Sequence, residues 1–86
     1  MIPAPTRAAT ATYVFPLILE RDDASSWSVI FPDLPGCVTW GESREDALVN
    51  AAEAATLHLE GFRDHGDPIP EPSRAAPGQE VVLVRV

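Results

Sequence analysis

Phe31-Pro32-Asp33-Leu34-Pro35-Gly36-Cys37-Val38-Thr39-Trp40-Gly41 separates an alternating apolar run from an amphipathic one. Pro32 and Pro35 fix φ near about −65° and donate no backbone hydrogen bond. Each also holds the residue before it, Phe31 or Leu34, out of the α region. The Asp33 side chain suits a bond to the backbone two residues on, and Gly36 takes positive φ without steric cost. The segment reads as a rigid turn between two strands. Gly41 opens the short connection that follows.

Upstream, Trp27, Val29 and Phe31 point one way while Ser28 and Ile30 point the other. Downstream, residues 37–40 form a short strand, with Val38 and Trp40 on one face and Cys37 and Thr39 on the other. Nearer the N-terminus, residues 12–20 alternate Tyr13, Phe15, Leu17 and Leu19 with Val14, Pro16 and Ile18, a strand that is apolar on both faces. Proline is confined to strand edges, starts or bulges, so either the regular strand begins near Pro16 or a bulge sits there. Residues 21–25 are the polar turn of a hairpin. Residues 1–11, with little apolar content, read as a flexible arm, leaving residues 12–86 as a single domain.

After Gly41, Ser43 is a good N-cap, and Asp46 three residues later gives a weak capping box. Glu45 and Asp46 suit the positive end of a helix dipole. The spacing predicts a helix over 44–64, stopped by Gly66 and Pro68. Ala47, Leu48, Ala51, Ala52, Ala55, His58, Leu59 and Phe62 fall in one stripe, whose alanines let the helix lie close on a sheet. On the far side Asp46, Glu53 and Glu60 repeat every seven residues with Asp64 beside them, an acidic stripe next to an exposed Leu57. Residues 66–78 hold Pro68, Pro70, Pro72 and Pro77 and read as an extended connector, ordered where Ile69 docks. Residues 80–86 close the chain as a strand, with Val81, Leu83 and Arg85 opposite Val82, Val84 and Val86.

The order is β-β-β-α-β, an α+β domain with an antiparallel-rich sheet and one helix packed on one face. One helix covers one side, yet the first and last strands are apolar on both. A second chain is expected on the open face or edge, most simply making a two-fold dimer.

Formal net charge is −7, from 6 basic and 13 acidic residues, every base being arginine. This argues against phosphate-driven nucleic-acid binding and suits a basic protein partner. The lone Cys37 forms no internal disulfide, which fits a reducing cytoplasm, and neither a membrane span nor a signal peptide is expected. Cys37 has no adjacent cation to activate it and reads as structural or solvent-facing rather than as a nucleophile. His58 lies in the apolar stripe as a packing or partner-contacting residue, and His65 complements the helix C-terminus. Metal-dependent hydrolysis needs converging carboxylates, whereas residues 14–19 carry no acid, Asp33 lies in a turn and the helix acids face outward. No catalytic residue, metal or cofactor is expected.

The sequence F-P-D-L-P-G-C-V-T-x-G, followed by Glu42-Ser43-x-Glu45-Asp46-Ala47-Leu48, resembles the signature of HicB-family antitoxins. Ile69-Pro70-x-Pro72-Ser73 and the terminal strand are similar too, so the resemblance covers residues 13–86. It implies a fold like a shortened RNase H core. It further implies a non-enzymatic antitoxin of a type II pair that binds and occludes a small basic HicA-type mRNA-cleaving toxin. Phe31, Pro32, Asp33, Leu34, Pro35, Gly36, Cys37, Thr39, Gly41 and Ser43 would carry the fold. Trp40, Asp46, Glu53, Glu60 and Asp64 are the candidate partner-binding residues. Longer family members continue into a helix-turn-helix or ribbon-helix-helix domain. This sequence ends at Val86, so a short form without direct nucleic-acid binding is expected. The competing reading is a stand-alone oligomeric module that binds a ligand or RNA without a toxin.

Overall fold

The computed structural model describes residues 11–22 and 26–86. In chain order the elements are β1 (Thr12–Pro16), β2 (Ile18–Arg21), β3 (Trp27–Ile30), β4 (Val38–Gly41), α1 (Arg44–His65) and β5 (Val81–Arg85). The architecture is α+β, with every strand pair antiparallel: β1 with β5, β2 with β3, and β3 with β4. The arm expected over residues 1–11 lies outside the described residues except for Ala11, which exchanges both backbone hydrogen bonds with Val86 and so belongs to the sheet. The predicted hairpin turn at residues 21–25 also falls largely outside them, although Asp22 N–H donates to Ser26 C=O.

The single first strand expected from the sequence is two, divided at Leu17. The hydrogen-bond phase gives the reason. Ala11 bonds Val86 and Leu17 N–H donates to Glu80 C=O, whereas Asp22 bonds Ser26 across the hairpin. Odd-numbered residues thus bond towards β5 and even-numbered ones towards β3. Successive residues of an extended chain present backbone groups to opposite edges, so β5 and β3 flank opposite edges of β1–β2. Pro16, opposite Val81, has its missing N–H on the β3 side, at a level β3 does not reach. There the proline leaves no ladder bond unmade. Side-chain alternation survives the break, with Phe15, Leu17, Val29 and Val84 buried beneath the helix.

The segment from Phe31 to Cys37 is two successive turns. Leu34 N–H donates to Phe31 C=O (3.1 Å), Cys37 N–H to Leu34 C=O (2.9 Å), and Phe31 N–H to Cys37 C=O (3.3 Å). Gly36 takes φ 85°. Phe31, Leu34 and Cys37 enter the core while Pro32, Pro35 and Gly36 stay outside. Asp33 does something other than the local turn bond expected of it. Its two carboxylate oxygens accept from Ser73 N–H and Ser73 Oγ, each at 2.7 Å. It ties the proline-rich connector to the turn.

Helix α1 starts and stops as its sequence dictates. Ser43 is extended, and its Oγ accepts from Asp46 N–H at 3.0 Å. Gly66 is left-handed, Gly66 N–H donating to Arg63 C=O and Asp67 N–H to Phe62 C=O. Arg44, a cation at the wrong end of the helix dipole, pairs with Glu80 just before β5. The buried face is Ala47, Ala51, Ala55 and Leu59, and Ile69 packs against the core from the connector. Closest approach is at Gly41, where an added Cβ would lie 2.3 Å from Ala47 N and 2.7 Å from Ala47 Cα. A methyl there meets backbone, which cannot rotate away.

Gly41→Ala should therefore cost about 2–3 kcal/mol, the upper range for overpacking, and lower the midpoint by roughly 10 °C or more in a thermal melt. Gly36→Val places a β-branched residue at φ 85° and should destabilise by about 1–3 kcal/mol. An unchanged melt for either variant would contradict the corresponding geometry. Asp33→Ala should cost about 1–3 kcal/mol and open residues 68–78 to limited proteolysis before the rest of the domain. Cleavage beginning elsewhere would remove the tethering role.

Candidate partner-binding surface

Strand β4 is the outermost of the β2-β3-β4 sheet. Its residues Val38 and Trp40 pair with Ile30 and Ser28. Phe31 and Cys37 are a hydrogen-bonded pair, so the backbone groups of Val38 and Trp40 face the free edge. One of these is occupied: Asn50 Nδ2 donates to Trp40 C=O at 2.9 Å. The helix thereby blunts part of the edge while the Trp40 side chain stays 57% exposed. A large exposed tryptophan beside unpaired strand groups makes this edge a candidate contact site.

Trp40 and Asp46 are brought together. With Thr39, Gly41, Glu42, Val49 and Asn50 they line a hollow of about 350 Å³ where the end of β4 meets the first turns of α1. Val49 also borders a second hollow of about 580 Å³, formed with Ala52, Glu53, Thr56 and Leu57. Glu53 therefore continues the same surface. Glu60 and Asp64 lie further along the helix and line neither hollow. Glu60 is half-buried, and Asp64 stands 3.9 Å from Arg63 in an exposed pair of small energetic consequence.

Sequence reading missed Val49 and Asn50. Val49, like Leu57, is about two-thirds exposed. The two flank the acidic stripe on either side, so the outer helix face is acidic with apolar borders. The signal for Val49 was an apolar residue off the buried stripe of an otherwise polar helix face. Asn50 gave none, because its role depends on where the edge strand lies.

The cysteine and the two histidines are accounted for by local contacts. Cys37 is buried, and desolvation pushes its thiol pKa up, the opposite of an activated nucleophile. His58 packs edge-to-face on Phe62 at 5.3 Å, and His65 Nδ1 contacts Gly61 C=O at 2.9 Å. Among the described residues, no helix is long and apolar enough to cross a membrane.

The family model described as HicB_like antitoxin of bacterial toxin-antitoxin system matches residues 15–80. Antitoxin HicB 2 of Photorhabdus laumondii is 36% identical over 59 residues, which is 69% of this chain and 42% of that protein. The chain thus spans well under half the length of that relative. The N-terminal domain of the Burkholderia pseudomallei antitoxin HicB superposes with a TM-score of 0.70 at 30% identity, covering 85% of this chain and 96% of that one. A chain of a HicA3 and HicB3 toxin-antitoxin complex superposes with a TM-score of 0.62 at 26% identity, covering 83% and 94%. The turn from Phe31 to Gly41, the capped helix and the pinned connector all fall within residues 15–80 matched by the family model, and the chain belongs to the family of HicB-like antitoxins of bacterial toxin-antitoxin systems.

Proposed function

We propose that this protein is the antitoxin of a type II pair, binding and occluding a small basic HicA-type mRNA-cleaving toxin. The observation that carries the reading is the acidic outer face of α1 running into exposed Trp40 at the free edge of β4. A chain of net charge −7 steers a cationic RNA-binding surface towards it. An aromatic anchor at the end of that face then supplies short-range contact. The solved HicA3 and HicB3 complex supports a HicA-type partner. Masking requires only a preformed surface over the toxin's RNA groove, so the protein acts by binding and without catalysis. The likeness to a shortened RNase H core, which the family resemblance implies, carries no catalytic implication, since Asp33 spends both oxygens on Ser73. The working form is a homo-oligomer, because the sheet face opposite α1 is apolar and exposed.

Co-expression with a basic HicA-type toxin encoded beside it should rescue growth from that toxin. The helix and the tryptophan separate kinetically. Glu53→Lys with Glu60→Lys should slow association several-fold and flatten its salt dependence, leaving the fold intact. Trp40→Ala should instead speed dissociation by roughly tenfold, the size of a modest hot spot. Unchanged association rates in the double-lysine variant would remove the helix from the encounter surface. Failure of co-expression to rescue growth would favour the stand-alone binding module.

The purified protein should cleave no RNA with or without Mg²⁺ or Mn²⁺. Metal-dependent cleavage that survives purification and disappears in Asp33→Asn would overturn the non-catalytic assignment.

A further inference from the structure

Strand β4 has β3 along one edge and no strand along the other. Exposed edges are templates for further pairing, and folded proteins blunt them with lysine, proline, a bulge or a covering segment. Val38–Gly41 holds neither lysine nor proline, and its register with β3 runs without a bulge from Ile30↔Val38 to Trp27↔Gly41. The helix covers the edge at one point, where Asn50 Nδ2 takes the Trp40 carbonyl. Among the described residues, Val38 N–H, Val38 C=O and Trp40 N–H are left in a row without a partner.

The two sides of this edge differ in character. Val38 and Trp40 project with Ile30 onto the face away from α1, and both are more than half exposed. Thr39, level with buried Val29, and Gly41, against Ala47, lie on the α1 side. There the hollow at the end of β4 has Glu42 and Asp46 as its charged lining.

We propose that the basic partner of the antitoxin reading above is held by strand addition to β4. An extended segment of it pairs along Val38 to Trp40, with apolar side chains beside Val38 and Trp40. A basic side chain between them, level with Thr39, enters the hollow against Asp46 and Glu42. The proposal rests on that reading and adds the mode of contact and the pattern recognised. Successive residues of an added strand point to opposite faces. The alternation apolar–basic–apolar therefore follows from the two sides already built into β4. Backbone pairing supplies affinity, and the pockets met by alternate side chains supply choice. Asn50 on the Trp40 carbonyl ends the ladder there, so the paired segment is short. A second copy offering the same edge is the poorer occupant. It would bring Thr39 rather than a cation to the hollow, together with a second net charge of −7.

Amide hydrogen exchange, followed residue by residue in the full chain with and without the purified HicA-type toxin, tests the mode. In the free chain the Val38 and Trp40 amides should exchange fast, and the Thr39 amide, on the β3 side, slowly. Saturating toxin should slow Val38 and Trp40 by at least about tenfold, the effect of one net hydrogen bond. The toxin segment protected at the same time should read apolar–basic–apolar. Val38→Pro removes an N–H that faces the free edge, where proline is tolerated. It should fold and bind toxin about tenfold more weakly, whereas Val38→Thr, which keeps the N–H, should lose no more than about threefold. The exchange measurement uses the unsubstituted chain and stands whether or not Val38→Pro folds. Toxin that binds without slowing either amide, or that binds folded Val38→Pro at full affinity, would overturn strand addition and leave the antitoxin reading standing. A toxin that does not bind at all would overturn both. Amides that slow with chain concentration alone would give the edge to a second copy and overturn the proposal.

Discussion

Everything on one side of the molecule depends on how closely the helix can approach the end of β4. Ala47 sits with its backbone against Gly41, and Ala51 and Ala55 continue the contact along the helix. Small side chains on both partners bring Asn50 within reach of the Trp40 carbonyl. Larger residues would lift α1 away, open that bond and pull apart the walls of the hollow between Trp40 and Asp46. The candidate contact surface is thus a consequence of close packing several residues away from the side chains that line it.

The second constraint is closure of the proline-rich connector. Its prolines provide no N–H with which to join the sheet, so its position has to come from other groups. Ile69 packs on the core and Asp33 holds Ser73 through both carboxylate oxygens. Leu17 N–H then receives the chain at Glu80, and β5 zips along β1 to the pair between Ala11 and Val86. Asp33 is thereby explained by a residue 40 positions away.

That distance marks what was legible in the sequence. Local features read correctly: the Ser43 cap, the Gly66 stop, the alternation of every strand, and positive φ at Gly36 follow from short-range sterics and periodicity. The features missed are those that need a partner remote in sequence. The division at Leu17 arises because β1 and β2 have different neighbours. Gly41 reads as a connection but acts as a contact. The Asn50 bond exists only because β4 has a free edge. For the candidate site, the acidic stripe and Trp40 were visible. Their meeting through Asp46 and Val49, with Glu60 and Asp64 left apart, required the angle between strand and helix.

Charge and apolarity are segregated on this small domain, and that bears on how it can meet a partner. The outer helix face concentrates acids, whose attraction acts over roughly the 8–10 Å Debye length at ordinary salt. The open sheet face is apolar and nearly neutral, so it attracts nothing at long range and holds only what fits. A cationic protein is therefore drawn first to the helix, where Trp40 stands at the end of the acidic track. The free edge of β4 lies between the two faces, partly closed by Asn50, and is open to strand addition only at the Val38 end.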